Sequence, residues 1–165
     1  MDGTAEVNRH TVGRHSSSAS VIMASSALIA ALVMLMTPLD PLAIPIEASV
    51  PYLHLYTGFR FIAIAVAPLV ALGAILLIRR SVPEPPGPLR TAAAVAITTA
   101  AGTPLVVAVV VGMRALVPGA TPIAGSVPEL MTTVAVGGLL YWSPPALMVM
   151  GPLLVGAAFI HQYLD

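Results

Sequence analysis

The residues of this 165-residue chain whose types and spacing could do chemistry crowd into one stretch, PYLHLYTGFRF at 51–61. Tyr52, His54, Tyr56, Gly58 and Arg60 stand together in front of a long apolar run, where they could form a cofactor or ligand site or mark the place where a helix enters a membrane. Elsewhere the candidates thin out. His10 and His15 stand five apart with no third ligand type beside them, so they predict no metal centre. The chain has no cysteine, which excludes disulfides, thiolate chemistry and Cys-based zinc or iron–sulfur sites. Its seven acids, Asp2, Glu6, Asp40, Glu47, Glu84, Glu129 and Asp165, all fall in loops or tails, and none is paired in sequence with a histidine. Hydrolases and transferases need a nucleophile with its base, or clustered carboxylates on a metal. The expectation is therefore no catalytic residue and no enzyme.

These residues are positioned by elements whose solvent is set by composition. Hydrophobic residues make up 58% of the chain and charged ones 8%, against roughly 25% charged in soluble proteins. So few charges cannot cover a globular surface, and a lipid bilayer is the expected partner. There is no lysine, the net charge is zero, and no basic patch predicts nucleic-acid binding.

A spanning helix needs ~20 mostly apolar residues. Charge-poor windows of that size run over about 18–36, 58–78 and 92–113. The first is closed by Thr37-Pro38 and Asp40-Pro41, a turn signature, and the third is followed by the Pro/Gly-rich segment VPGATPIAGSVPE. The remainder, from Glu129, stays apolar for more than thirty residues but carries Ser143-Pro144-Pro145. Two prolines remove two amide donors and push the preceding residue out of the α region, so the pattern predicts a break near Trp142. A helix over 129–142 would then reach only ~21 Å against a hydrocarbon core of ~30 Å, and it reads as interfacial or re-entrant. Tyr141 and Trp142 would mark the headgroup level, and 145–163 would be the last span. The fold class so predicted is an all-α integral membrane protein, a bundle of four transmembrane helices with a short broken or interfacial helix before the last. If 129–142 crosses as well, the count is five.

Residues 1–17 are polar and without apolar periodicity, which predicts a disordered tail, and 18–165 read as one transmembrane helical domain. The segment RRSVPEPPGPLR at 79–90 has four prolines and should be a stiff connector. With four spans, Arg9, Arg14, Arg79, Arg80 and Arg90 share one side and Arg60 and Arg114 the other. The positive-inside rule then makes this a multi-pass cell-membrane protein with both termini cytoplasmic. A signal peptide cleaved after Ala48 is the competing reading of the first run, which is longer than an ordinary signal-peptide core.

Two patterns lie inside the spans. Small residues recur every four positions at Ala92, Ala96, Ala100, Ala108 and Gly112, with Pro104 in the same row, and at Ala63, Ala67 and Ala71. Such rows let helices approach closely in lipid, and they predict contact between the second and third spans. Prolines at Pro68, Pro104 and Pro152 sit within spans, and Pro144 and Pro145 open the last one. Each of the three internal prolines cancels one backbone bond, freeing the carbonyls of Ile64, Ala100 and Met148, which neighbouring helices, hydroxyls or water must satisfy. Thr98, Thr99 and Thr103 stand beside the second kink.

The spacing His54-x3-Gly58-x-Arg60 resembles a fragment of the H-x3-G-x-R signature in the cytochrome b membrane subunit of succinate dehydrogenases, over seven of 165 residues. Phe61 stands where that signature continues with a further histidine. The resemblance implies His54 as an axial ligand of haem b, or a site for quinone. The same residues are accounted for by a membrane boundary, with Tyr52 and Tyr56 as interfacial aromatics and Arg60 snorkelling outward. No cofactor is expected on that account. The function expected is a structural or accessory subunit of a membrane assembly, with other membrane subunits or copies of itself as partners. The alternatives are a small carrier or channel using the kinked helices, and a haem- or quinone-binding anchor.

Overall fold

A helix bonds its peptide N–H and C=O groups within its own segment, and this chain, rich in Ala, Leu, Val and Met, is mainly helical in the described residues. The computed structural model describes the backbone of residues 3–36, 46–81, 87–118 and 126–164, and the side chains of 20–36, 58–81, 87–118 and 126–159. It contains α1 (Gly3–Met36), α2 (Ile46–Ser81), α3 (Pro88–Ala115), α4 (Val127–Gly137), a π-helical turn (Gly138–Trp142) and α5 (Ser143–Leu164), with no strand among the described residues.

Local sequence explains the ends. Gly87 precedes α3 and Pro88 opens it, where a missing N–H costs nothing. Arg114 lies in the last turn of α3, against the negative end of its dipole. Ser126 caps α4 by accepting a hydrogen bond from the Glu129 amide at 3.4 Å, and the Glu129 carboxylate lies in the positive first turn.

Three helical lengths are long and apolar enough to cross a membrane: Gly58–Ser81, Pro88–Ala115 and Val127–Phe159. Ser20–Met36 is apolar but shorter. Around the bundle, α1 packs between α2 and α5, and α2 between α1 and α3. α3 packs in turn on α4, the π turn and α5. Two apolar clusters fill the interior. One joins Met23, Ala27, Ala74, Ile75, Val95, Met150 and Leu154. The other, toward the opposite end, joins Met34, Phe59, Val107, Leu130, Val134 and Trp142.

The structure differs from the sequence expectations at three elements. α1 is helical from Gly3, so residues 3–17 continue the helix instead of forming an unstructured tail. Once a helix is nucleated, each added residue gains a bond for one residue fixed, and Glu6 stands three and four residues before Arg9 and His10, a favourable helical spacing. α2 begins at Ile46, ahead of the start expected at about residue 58. The break expected near Trp142 is absent, because Val127–Phe159 is one continuous apolar helix. Instead the π turn absorbs the prolines. Across it the Ser143 amide bonds the Gly138 carbonyl five residues back. This widened turn moves aside the carbonyls that the rings of Pro144 and Pro145 would strike, and the helix goes on. At 33 residues the helix is about 50 Å long, so 129–142 is its first half and not a separate interfacial piece.

Candidate functional site

The two irregularities meet. Pro104 interrupts α3 in its middle, the π turn interrupts the helix opposite, and they touch at Gly138. A Cβ at Gly138 would fall 2.8 Å from Cβ of Pro104 and 2.7 Å from Cε2 of Phe59, so the approach requires glycine. The carbonyl of Ala100, freed by Pro104, accepts a hydrogen bond from the Ser143 hydroxyl at 2.6 Å. The same hydroxyl lies 3.3 Å from the Gly138 carbonyl. Each helix thus supplies what the other's irregularity leaves open, a carbonyl from the proline kink and a hydroxyl from the residue after the π turn.

Around this latch lie further polar groups. Thr103 donates from Oγ1 to the Thr99 carbonyl at 2.7 Å, a back-bond that eases helix bending. Thr98 faces outward. Thr99 is wholly buried and Trp142 is 1% exposed, yet Oγ1 of Thr99 and Nε1 of Trp142 have no hydrogen-bond partner in the protein. A buried polar group left unpaired costs about 1–3 kcal/mol, so each of these two groups calls for a partner that the protein itself does not supply. The buried polar side chains among the described residues are Ser26, Thr99, Thr103 and Ser143, all neutral. The site can therefore hydrogen-bond, but these groups do no acid–base chemistry near neutral pH.

Trp142 corrects an expectation. It heads the largest fully buried side chains, and its ring meets Phe59 edge-on with centroids 6.0 Å apart, at the opposite extreme from a headgroup anchor. The helical continuity through the π turn is the reason, since it carries Trp142 to mid-helix. Its neighbour Tyr141 is 48% exposed on the outer face.

Arg60 is also placed otherwise than expected. It turns inward and donates from Nη2 to the carbonyls of Met34 and Leu35, in the last turn of α1. A cation there satisfies orphan carbonyls and opposes the negative helix end. It thus anchors one helix to another. Tyr52, His54 and Tyr56 lie within the helical backbone of α2, and their side chains fall outside the described residues, as do Asp40 and the side chain of Glu47.

The small residues line the interior. Ala63, Ala67, Ala71, Ala92, Ala96, Ala100, Ala108 and Gly112 are all buried. Three members of the α3 row meet the last helix: Ala100 meets Ser143, Pro104 meets Gly138, and a Cβ at Gly112 would fall 2.5 Å from the sulfur of Met131. α3 also approaches α2 closely at Gly102, where a Cβ would come within 2.9 Å of Val70, and Ala71 of α2 shares an apolar cluster with Ala92, Ala96 and Ala100 of α3. Pro68 is half-buried, Pro144 and Pro152 are exposed, and Pro145 is half-buried. Among the described residues no group of histidine, aspartate and glutamate is arranged to hold a metal ion.

Sequence reasoning foresaw that the Ala100 carbonyl needed a partner but did not find Ser143. The two residues are 43 apart in sequence, and only the register between α3 and α5 brings them together.

Fold and site define an all-helical protein with three apolar helices fit for a small membrane protein. Comparison with known proteins finds no matching family model, and no match among curated proteins or solved structures.

Proposed function

We propose that this chain is a multi-pass cell-membrane protein with four crossings and cytoplasmic termini, serving as a structural or accessory subunit of a membrane assembly. The observation that carries this reading is the filled axis of the bundle. Trp142, Met150, Leu154, Val95 and Val107 are fully buried along it, where a carrier or channel would place a wet, polar path. The outer faces, in contrast, are broad and aliphatic, with Leu69, Leu77, Ile97, Leu105, Leu140 and Met148 all exposed. Lipid satisfies such faces, and so do neighbouring membrane helices.

The orientation rests on arginine placement. Arg79, Arg80 and Arg90 are exposed at one end of the bundle. At the other end Arg60 is engaged by the end of α1, which leaves Arg114 as the exposed arginine among the described residues there. This asymmetry favours the first end as cytoplasmic.

Native purification in mild detergent tests the assignment. The expected result is a particle heavier than the 16.9 kDa chain, containing a second membrane protein whose assembly fails when this chain is deleted. A lone chain that moves solute across proteoliposomes would overturn it. A Soret band in the purified sample would replace it with a haem-anchor function.

A further inference from the structure

At the centre of the bundle two polar side chains from different helices are buried without protein partners: Oγ1 of Thr99 on α3 and Nε1 of Trp142 at the end of the π turn. The latch between α3 and α5 defines a layer, and each of the two stands next in sequence to one of its ends. Thr99 precedes Ala100 and Trp142 precedes Ser143, and Ala100 and Ser143 are joined by the 2.6 Å latch. The layer separates the two apolar clusters, with Ala100 in one and Trp142 in the other. The surrounding polar groups are already occupied. The Ala100 carbonyl takes the Ser143 hydroxyl, the Thr99 carbonyl takes the Thr103 hydroxyl, and the Gly138 carbonyl takes the Ser143 amide.

We propose that this layer is an internal water site, in which one water molecule bridges the Thr99 hydroxyl and the indole N–H of Trp142. The chemistry selects the ligand. An indole N–H only donates, so the occupant must offer an acceptor; a hydroxyl both donates and accepts, so it can complete either side of the bridge. The occupant must be neutral, because the buried side chains around it are. It must also be small, because Trp142, Thr99, Thr103 and Pro104 are all fully buried. Water meets all three conditions, and the Thr103 oxygen retains lone pairs that can accept from it. The site lies where both helices have interrupted ladders, the region of the bundle least able to close its own hydrogen bonds.

Trp142 is the single tryptophan of the chain, so the indole can be read directly. The intact protein in nanodiscs is measured by ultraviolet resonance Raman, using the band that reports indole N–H hydrogen bonding, and by difference infrared spectroscopy in water and in ¹⁸O-labelled water. The expected result is a bonded indole N–H together with an isotope-sensitive O–H stretch of a confined water. Thr99→Val should shift the indole band to its unbonded position and remove that stretch, while Thr99→Ser retains both. An unchanged near-ultraviolet circular dichroism spectrum in Thr99→Val, as in Thr99→Ser, excludes misfolding as the cause. An unbonded indole in the unmutated protein overturns the proposal. A bonded indole indifferent to Thr99→Val overturns the shared site, and a bonded indole without an isotope-sensitive stretch overturns water as the occupant.

Discussion

Replacing Ser143 with alanine should cost more than the loss of one surface-sized hydroxyl, and the cost should depend on a residue in another helix. The Ser143 hydroxyl lies 2.6 Å from the Ala100 carbonyl, and Ala100 is 2% exposed. That carbonyl lost its backbone donor to Pro104, and neither lipid nor bulk water can reach it. Leaving a buried group unpaired costs about 1–3 kcal/mol, while interhelical side-chain bonds in membranes average ~0.6 and reach ~1.7 kcal/mol. A short, fully buried bond to an acceptor with no alternative belongs at the upper end, so Ser143→Ala should destabilise by about 1.5 kcal/mol. Pro104→Ala returns an amide to position 104 that can bond the Ala100 carbonyl within α3. In that background Ser143→Ala should cost under about 0.5 kcal/mol, giving a coupling near 1 kcal/mol. Any packing loss at Pro104, which touches Gly138, appears in both Pro104 variants and cancels from the cycle. The assay is reversible unfolding in mixed micelles of SDS and a mild detergent, followed by Trp142 emission. A Ser143→Ala cost that is the same with and without Pro104 would refute the latch.

Three further outcomes are expected. Gly112→Leu and Gly138→Ala should each destabilise by about 1–3 kcal/mol, because Met131 and the Phe59–Pro104 pair occupy the space the new atoms need, whereas Val109→Leu on the exposed face should change little; equal melting temperatures for the three would dismiss the packing argument. Arg60→Leu should speed amide exchange in the last turn of α1, by the ~0.3–2 kcal/mol that a cation at a helix end contributes, while His54→Gln leaves exchange and assembly unchanged; the reverse ordering in exchange mass spectrometry would restore His54 as a ligand. Cysteines placed at Ser17, Ser49 and Ser126 of this cysteine-free chain should react with an impermeant reagent from outside only at the last two, and labelling at the first position would invert the topology.

What the sequence determined by itself was the helices and a composition apolar enough to suit a membrane. So little charge and so much apolar length leave helix as the way to close the backbone in lipid, and the prolines show which carbonyls must look elsewhere for a donor. The small-residue rows likewise mark faces able to approach a neighbour, because a missing side chain is a local property. The partner across each gap was decided only in three dimensions. Ser143 reaches Ala100, Gly138 admits Pro104, and Arg60 turns in to α1, because the register of one helix against the next depends on packing summed along both. Pro144 and Pro145 read locally as a break, since two lost donors end a helix built on fourfold bonding. The tertiary structure keeps it continuous by widening one turn, which takes Trp142 from the expected headgroup level to the centre of the bundle, where its ring packs against Phe59.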